Sequence, residues 1–204
     1  MVASARSCNP VRIVFIGPPG AGKGTQCRRL SRELAIPHIS SGEMLRATRD
    51  DSTLGELVAS YIDGGQLAPD DLMMQFIIER LRQPDCDSGY LLDGFPRTVN
   101  QAEMLTAYLS ERDQRIDSVV NLILHEDVLV QRLLARAGVE GRADDTPETI
   151  QARLKVFRDR TEPVLGYYRN CGIVIDVDAA GTPDEVFGSI CGSLRSSDGE
   201  SPQG

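Results

Sequence analysis

Apolar residues recur along this chain with two periods, and the two take turns. Residues 11–16 are apolar apart from Arg12 and rich in β-branched side chains, which predicts a buried strand. Further short segments at 37–39, 90–92, 119–124 and 173–177 predict four more. Between them the period lengthens to that of a helix. Residues 23–34 carry helical spacing, and Ser40 with Glu43 three places on has the form of a capping box, starting a helix expected to reach Arg49. Leu54, Leu57, Val58, Tyr61 and Ile62 mark one face of an amphipathic helix that Gly64 and Gly65 stop. Pro69 opens another, with Leu72, Met73, Phe76, Ile77 and Leu81 as its apolar stripe. Thr98 with Gln101 caps a helix to about Leu109, and a further helix is expected at 128–136. Thr146-Pro147 begins a long helix, and Thr182-Pro183-Asp184-Glu185 caps the last.

Strands alternating with helices predict an α/β fold, a parallel five-stranded sheet flanked by helices on both faces. Two stretches interrupt the alternation. Residues 40–69 are mostly helical where a crossover should be shorter, and residues 137–145 read as a loop with two glycines and three acids. Both are candidate mobile inserts. The expected division is a core of 11–39, 70–135 and 146–194, inserts at 40–69 and 136–145, and disordered polar tails at 1–10 and 195–204.

Charge narrows the functions. Of 204 residues, 30 are acidic and 22 basic, a net charge of -8, which argues against a nucleic-acid partner, because nonspecific affinity for DNA or RNA comes largely from neutralised phosphates. No apolar run is long enough for a membrane span, and no secretion signal is expected in the first ten residues. The five cysteines are Cys8, Cys27, Cys86, Cys171 and Cys191, an odd number with no zinc or redox spacing, so the expected setting is a reducing cytoplasm. His38 and His125 stand alone, which disfavours His-based nucleophilic catalysis. Only two of the 22 basic residues are lysines, Lys23 and Lys155.

Lys23 ends Gly17-Pro18-Pro19-Gly20-Ala21-Gly22-Lys23, which lies between a strand and a helix as a phosphate-binding loop requires. Glycines let successive N–H groups point inward, the helix N-terminus adds partial positive charge, and the lysine reaches the outer phosphates. The generic pattern has Ser or Thr directly after the lysine; here Gly24 stands there and Thr25 follows. A second motif, Leu91-Leu92-Asp93-Gly94-Phe95-Pro96-Arg97, leaves the C-terminal end of a strand, the edge of a parallel sheet where ligands bind. Asp93 is placed to orient water around a magnesium ion, and Arg97 has the shape to grip a phosphate with two parallel hydrogen bonds.

The run Gly-Pro-Pro-Gly-Ala-Gly-Lys-Gly-Thr-Gln at 17–26, together with Asp-Gly-Phe-Pro-Arg-Thr-Val-Asn-Gln at 93–101, resembles the adenylate kinases of the nucleoside monophosphate kinase family, in their short-lid form, over about 11–194. The resemblance implies a P-loop NTPase-like fold with inserted NMP-binding and short lid subdomains, in which Gly24–Thr25 is the usual arrangement. It implies that Gly20, Ala21, Gly22, Lys23, Gly24, Thr25, Arg136 and Gly181 meet ATP. It places Ser41, Arg46, Gln66, Leu67, Ala68, Gly94, Phe95, Pro96, Arg97, Gln101, Arg142 and Arg153 around AMP, with Gln101 also able to serve the Thr98 cap. By the same resemblance Lys23, Arg97, Arg132, Arg136, Arg142 and Arg153 carry the transfer, and Asp93 holds Mg2+ through water; the long-lid zinc cysteines are missing.

The implied reaction makes two ADP from ATP and AMP. Its attacking phosphate oxygen is already anionic, so no general base is required, and positioning with charge stabilisation suffices. With Arg46 the cations number seven, expected to converge on one cleft. A kinase for UMP and CMP shares most of these features but usually has Ala at position 41 and Asn at position 101, so Ser41 and Gln101 favour AMP. A nucleotide sensor without turnover is the other alternative. The expected protein is monomeric.

Overall fold

The computed structural model describes residues 11–48, 60–61, 63–140 and 146–197, with backbone alone at 136–140 and 197. Five strands, β1 (Val11–Ile16), β2 (His38–Ser40), β3 (Gly89–Asp93), β4 (Ser118–Ile123) and β5 (Val174–Asp178), form one parallel sheet in the order β2-β3-β1-β4-β5. The chain steps from β1 out to the edge at β2, returns to β3, then crosses to β4 beyond β1. Strands on either side of β1 are thus reached in opposite directions, which opens a crevice at its C-terminal end.

Side-chain alternation on the strands builds two cores. Val14, Ile16, Tyr90, Leu92 and Val119 face one way, toward α3 (Asp70–Leu81), α4 (Val99–Ser110) and α7 (Glu162–Arg169). Ile13, Phe15, Leu91, Val120 and Leu122 face the other, toward α1 (Lys23–Leu34), α5 (Glu126–Glu140), α6 (Pro147–Val156) and α8 (Pro183–Ser197). Both faces of β1 are therefore dry, which is why its sequence is continuously apolar rather than alternating. The remaining helix, α2 (Ser41–Ala47), follows β2 directly and starts the 40–69 insert.

Local chemistry sets most helix ends. Ser40 accepts from the Glu43 N–H, Thr98 from the Gln101 N–H at 3.1 Å and Thr146 from the Thr149 N–H at 3.2 Å. At α8 the capping box closes both ways: the Glu185 N–H donates to Thr182 Oγ1, and the Thr182 N–H to Glu185 Oε2 at 2.8 Å.

The helices depart from expectation in several places. Helix α2 stops at Ala47, where the Thr48 hydroxyl turns back to the Leu45 carbonyl. Helix α5 continues through 137–140, the first part of the expected loop, because one glycine costs a helix only about 1 kcal/mol. Helix α8 runs to Ser197, so 195–197 are not a disordered tail; Leu194 packs on the second core and Arg195 sits at the negative end of the helix dipole. The long helix after Thr146 is interrupted by a π-helical turn at Phe157–Thr161, just before Pro163, whose missing N–H breaks the ladder. Of the helix expected across 54–62, only Ser60 and Tyr61 fall among the described residues, and Tyr61 packs on the first core. Residues 141–145 and both expected tails, up to residue 10 and from 198, lie outside them.

Candidate active site

Between β1 and α1 the chain makes a tight loop, with the Ala21 N–H donating to the Pro18 carbonyl. Gly22 is the N-cap of α1 at φ 92, a left-handed conformation that favours glycine. No side chain caps this end and no acid occupies the first turn. The first N–H groups of α1 and its dipole are left for an anionic ligand. Lys23 folds back over the loop, donating to the carbonyls of Gly17 at 2.7 Å and Pro18 at 2.9 Å. Ala21 packs its methyl into the second core, so it offers the ligand only backbone.

Parallel pairing puts Asp93 beside Phe15, at the tip of β3 and next to the loop. Its carboxylate accepts a 3.2 Å contact from His38 Nε2. Burial by itself would raise the Asp93 pKa, but the His38 bond and the charges of Lys23 and Arg97 outweigh it and hold the carboxyl below its ordinary value. Asp93 is therefore an anion at neutral pH. At Gly24 a Cβ would stand 3.5 Å from both Asp93 Oδ2 and Arg28 Nη1, an ordinary contact distance, and the glycine leaves the Asp93 carboxylate uncovered on that side.

After β3 the chain turns through Gly94, at φ +78, whose carbonyl is shared by two donors. Ser41 Oγ donates to it at 2.7 Å and Arg97 Nε at 2.7 Å. A Cβ on residue 94 would lie 2.7 Å from Ser41 Oγ and 2.8 Å from Arg97 Nη2, so only glycine lets the two meet here. Gln101 is fixed from both ends of its amide: Oε1 accepts from the Arg97 N–H at 2.7 Å, and Nε2 donates to Asp70 Oδ1 at 2.8 Å. Thr98 Oγ1 and Asn100 Nδ2 also donate to Asp70, and Thr161 Oγ1 donates to the Arg97 carbonyl. Arg97 is thus held on a rigid wall.

These pieces enclose one cleft of ≈ 540 Å³. Its walls include Lys23, Arg46, Arg97, Arg132 and Arg153, together with Gly20, Gly22, Gly24, Thr25, Ser41, Gln66, Leu67, Ala68, Asp93, Gly94, Pro96 and Gln101. Arg28 also lines it, and among the described lining residues the only carboxylates are Glu43 and Asp93. Burial pushes the Arg97 pKa down, Asp93 opposes this, and the nearby charges of Arg153 and Arg46 add to it. An arginine still keeps its proton at neutral pH. On a chain of net charge -8, this cleft is a local positive well that an anion would stabilise.

Some expected residues are placed elsewhere. Phe95 is buried in the first core rather than on the cleft wall. Gly181 is not among the lining residues; it lies on the loop before α8, which Gln26 of α1 grips through the Pro183 carbonyl. The Arg136 side chain and Arg142 lie outside the described residues. Sequence reasoning missed His38, Asp70 and Thr161, which orient Asp93, Gln101 and Arg97. His38 was legible as the residue two before Ser40 on a strand, but Asp70 and Thr161 are ordinary helix-end residues whose partners lie 31 and 64 positions away.

A phosphate loop at one end of a positive cleft and a second arginine-bearing wall at the other define a nucleoside monophosphate kinase. Comparison with known proteins agrees. The family model described as adenylate kinase matches residues 15–173. An adenylate kinase from Rhodopirellula baltica is 50% identical over 185 residues, covering 91% of this chain and 95% of the relative. Those of Mycobacterium ulcerans, 49% identical over 87% of this chain and 95% of the relative, and Stenotrophomonas maltophilia, 42% over 91% and 100%, are similar over nearly their whole length. The chain belongs to the adenylate kinase family.

Proposed function

We propose that this enzyme transfers the terminal phosphoryl group of ATP to AMP, reversibly and with Mg2+, giving two ADP. The observation that carries the reading is the convergence of Lys23, Arg46, Arg97, Arg132 and Arg153 on one cleft between the phosphate loop and the Gly94–Gln101 wall. ATP phosphates rest on the N–H groups at the start of α1, where Lys23 exchanges its two loop carbonyls for phosphate oxygens. AMP lies against Ser41, Gln66, Leu67, Ala68 and Gln101, its phosphate held by Arg46, Arg97 and Arg153. Arg132 completes the charge around the transferring group, and we assign Arg136 and Arg142 to the same step.

Gln101 supports adenine as the acceptor base. Its fixed amide has one N–H and one oxygen lone pair left after Asp70 and the Arg97 N–H are served, a donor and an acceptor side by side. Adenine presents the complementary acceptor and amino donor along its Watson–Crick edge, so the base is read as well as the phosphate.

The donor set fits magnesium. Asp93 is the anionic oxygen ligand nearest the phosphate loop, and Thr25 adds a hydroxyl on the cleft wall, a sparse all-oxygen set suited to an ion that keeps its waters and relies on substrate phosphates. Bound there, Mg2+ supplies charge neutralisation between the phosphates. No side chain has to remove a proton from the attacking phosphate oxygen. The protein's tasks are alignment of two polyanions, screening of their repulsion, and exclusion of water as a competing acceptor. The inserts at 40–69 and 136–145 are the pieces we assign to closure. A cytoplasmic, monomeric enzyme fits the reading, and no described helix is long and apolar enough to cross a membrane.

The test mixes the protein with ADP and Mg2+ and follows ATP and AMP by chromatography, then compares AMP, CMP and UMP as acceptors for ATP. Formation of ATP and AMP with strong preference for AMP is expected. Equal use of the three acceptors would refute the base assignment, and no turnover would refute the enzyme.

A further inference from the structure

Three metal-ligating side chains from three separate elements meet beside the phosphate loop. The β2–β3 register pairs His38 with Leu91 and Ser40 with Asp93, so His38 and Asp93 stand on the same sheet face two steps apart. Helix α1 packs on that face and turns Cys27 toward it, within the core that holds Leu91 and Phe15. One donor atom from each of Cys27, His38 and Asp93 lies within 4.8 Å of the others, and His38 Nε2 is 3.2 Å from Asp93 Oδ2. Donors around a tetrahedral Zn2+, with bonds of ~2.0–2.3 Å, are separated by ~3.3–3.7 Å. Side-chain shifts of ~1 Å close the set.

We propose that Cys27 Sγ, His38 Nε2 and an Asp93 carboxylate oxygen form a binding site for a transition-metal dication of the Zn2+ class, and that its occupation inhibits the enzyme by engaging the Asp93 carboxylate.

The donor chemistry selects the ion. A thiolate, an imidazole and one carboxylate suit Zn2+ or Co2+ and are poor ligands for Mg2+ or Ca2+. Two anionic ligands neutralise a dication inside the fold. The site is rigid, since β2, β3 and α1 supply it, and dry, with Cys27 fully buried and the side chains of His38 and Asp93 only 9% and 12% exposed. Burial first, and then the charge of Asp93, push the Cys27 thiol well above its ordinary value, so without metal it is a protonated, unreactive thiol. Asp93 lines the cleft whereas Cys27 and His38 do not, and Gly24 has no side chain to cover Asp93 from that side. An ion entering from the cleft meets Asp93 first. Binding stands on this geometry alone; inhibition rests on the kinase reading.

The experiment uses the full chain carrying Cys8→Ser, Cys171→Ser and Cys191→Ser, with Cys86 kept throughout. Nucleotide-free protein is titrated with ZnCl2 by calorimetry and with CoCl2 by absorbance. One equivalent of Zn2+ and a near-ultraviolet thiolate-to-cobalt band are expected. Adding Cys27→Ala should abolish the band and weaken Zn2+ binding by about 100-fold or more. Basal Mg2+-dependent turnover of the Cys27→Ala protein should stay within about twofold of its parent while its Zn2+ inhibition is lost. Cys27→Ser, read the same way, serves if the alanine variant does not fold. Equal Zn2+ affinity with and without Cys27, a missing cobalt band, or undiminished Zn2+ inhibition of the Cys27→Ala protein would overturn the proposal. A parent that binds Zn2+ but never turns over would overturn the kinase reading and leave the site standing.

Discussion

Replacing Gly94 with alanine tests the wall at its tightest point. Residue 94 sits at φ +78, where an alanine costs about 1–2 kcal/mol. The new Cβ would lie 2.7 Å from Ser41 Oγ, so the 2.7 Å Ser41–Gly94 hydrogen bond is lost or bent, for about 1 kcal/mol more. Together these predict about 2–3 kcal/mol, or a fall in Tm of roughly 4–12 °C for a chain of this size. The same Cβ would lie 2.8 Å from Arg97 Nη2, and the guanidinium, at the end of a flexible side chain, retreats instead of unfolding the wall. Relief to ordinary contact requires a shift of roughly 0.7–1 Å. Misplacement on that scale costs on the order of 100-fold in a transfer reaction. Scanning calorimetry gives Tm, and a coupled ADP assay with AMP varied at saturating ATP gives kcat/KM. A fall of roughly 30–100-fold in kcat/KM for AMP with near-parental ATP binding is expected. Parental Tm and parental AMP kinetics together would refute the reasoning, because no room for the extra methyl exists in the arrangement described.

Lys23→Met removes the charge that turns from loop carbonyls to phosphate, and turnover should drop by ~100-fold or more in the same assay; near-parental ADP formation would contradict its role. Arg97→Ala should raise KM for AMP far more than the Kd for ATP, and equal weakening of both, measured by titration, would dissolve the distinction between the two walls. Glu185 has its pKa lowered first by the Thr182 N–H and then by the Thr182 hydroxyl, so it adds stability above the ordinary carboxylate range that is lost as pH falls through its lowered folded value. Melting curves of Glu185→Gln and parent should therefore differ near neutral pH and converge in acid, below the lowered folded value; a constant gap would show that the carboxylate charge contributes nothing.

The order of elements along the chain was readable because short-range physics writes it there. The continuous apolar run of β1 reports burial on both faces, and the glycines before Lys23 report a backbone that must approach phosphate. Thr98, Thr146 and Thr182 announce helix starts through bonds only three residues long. Those signals determined the α/β class, the loop and the second motif. Helix ends were less legible, as at 137–140 and 195–197, since one glycine or a short polar stretch costs a helix too little to stop it.

Only the tertiary structure decided which polar groups share a partner. Asp70 reaches Gln101 across 31 positions, Thr161 reaches the Arg97 carbonyl across 64, and His38 reaches Asp93 across 55, joined by sheet register and helix docking. It also moved Phe95 from the wall into the core, where its ring is worth more buried than beside a solvated ligand. The physical reason is one of range. Periodicity, capping and backbone geometry are local and leave their mark in neighbouring letters, whereas a cleft exists only once distant segments have been packed against a common sheet.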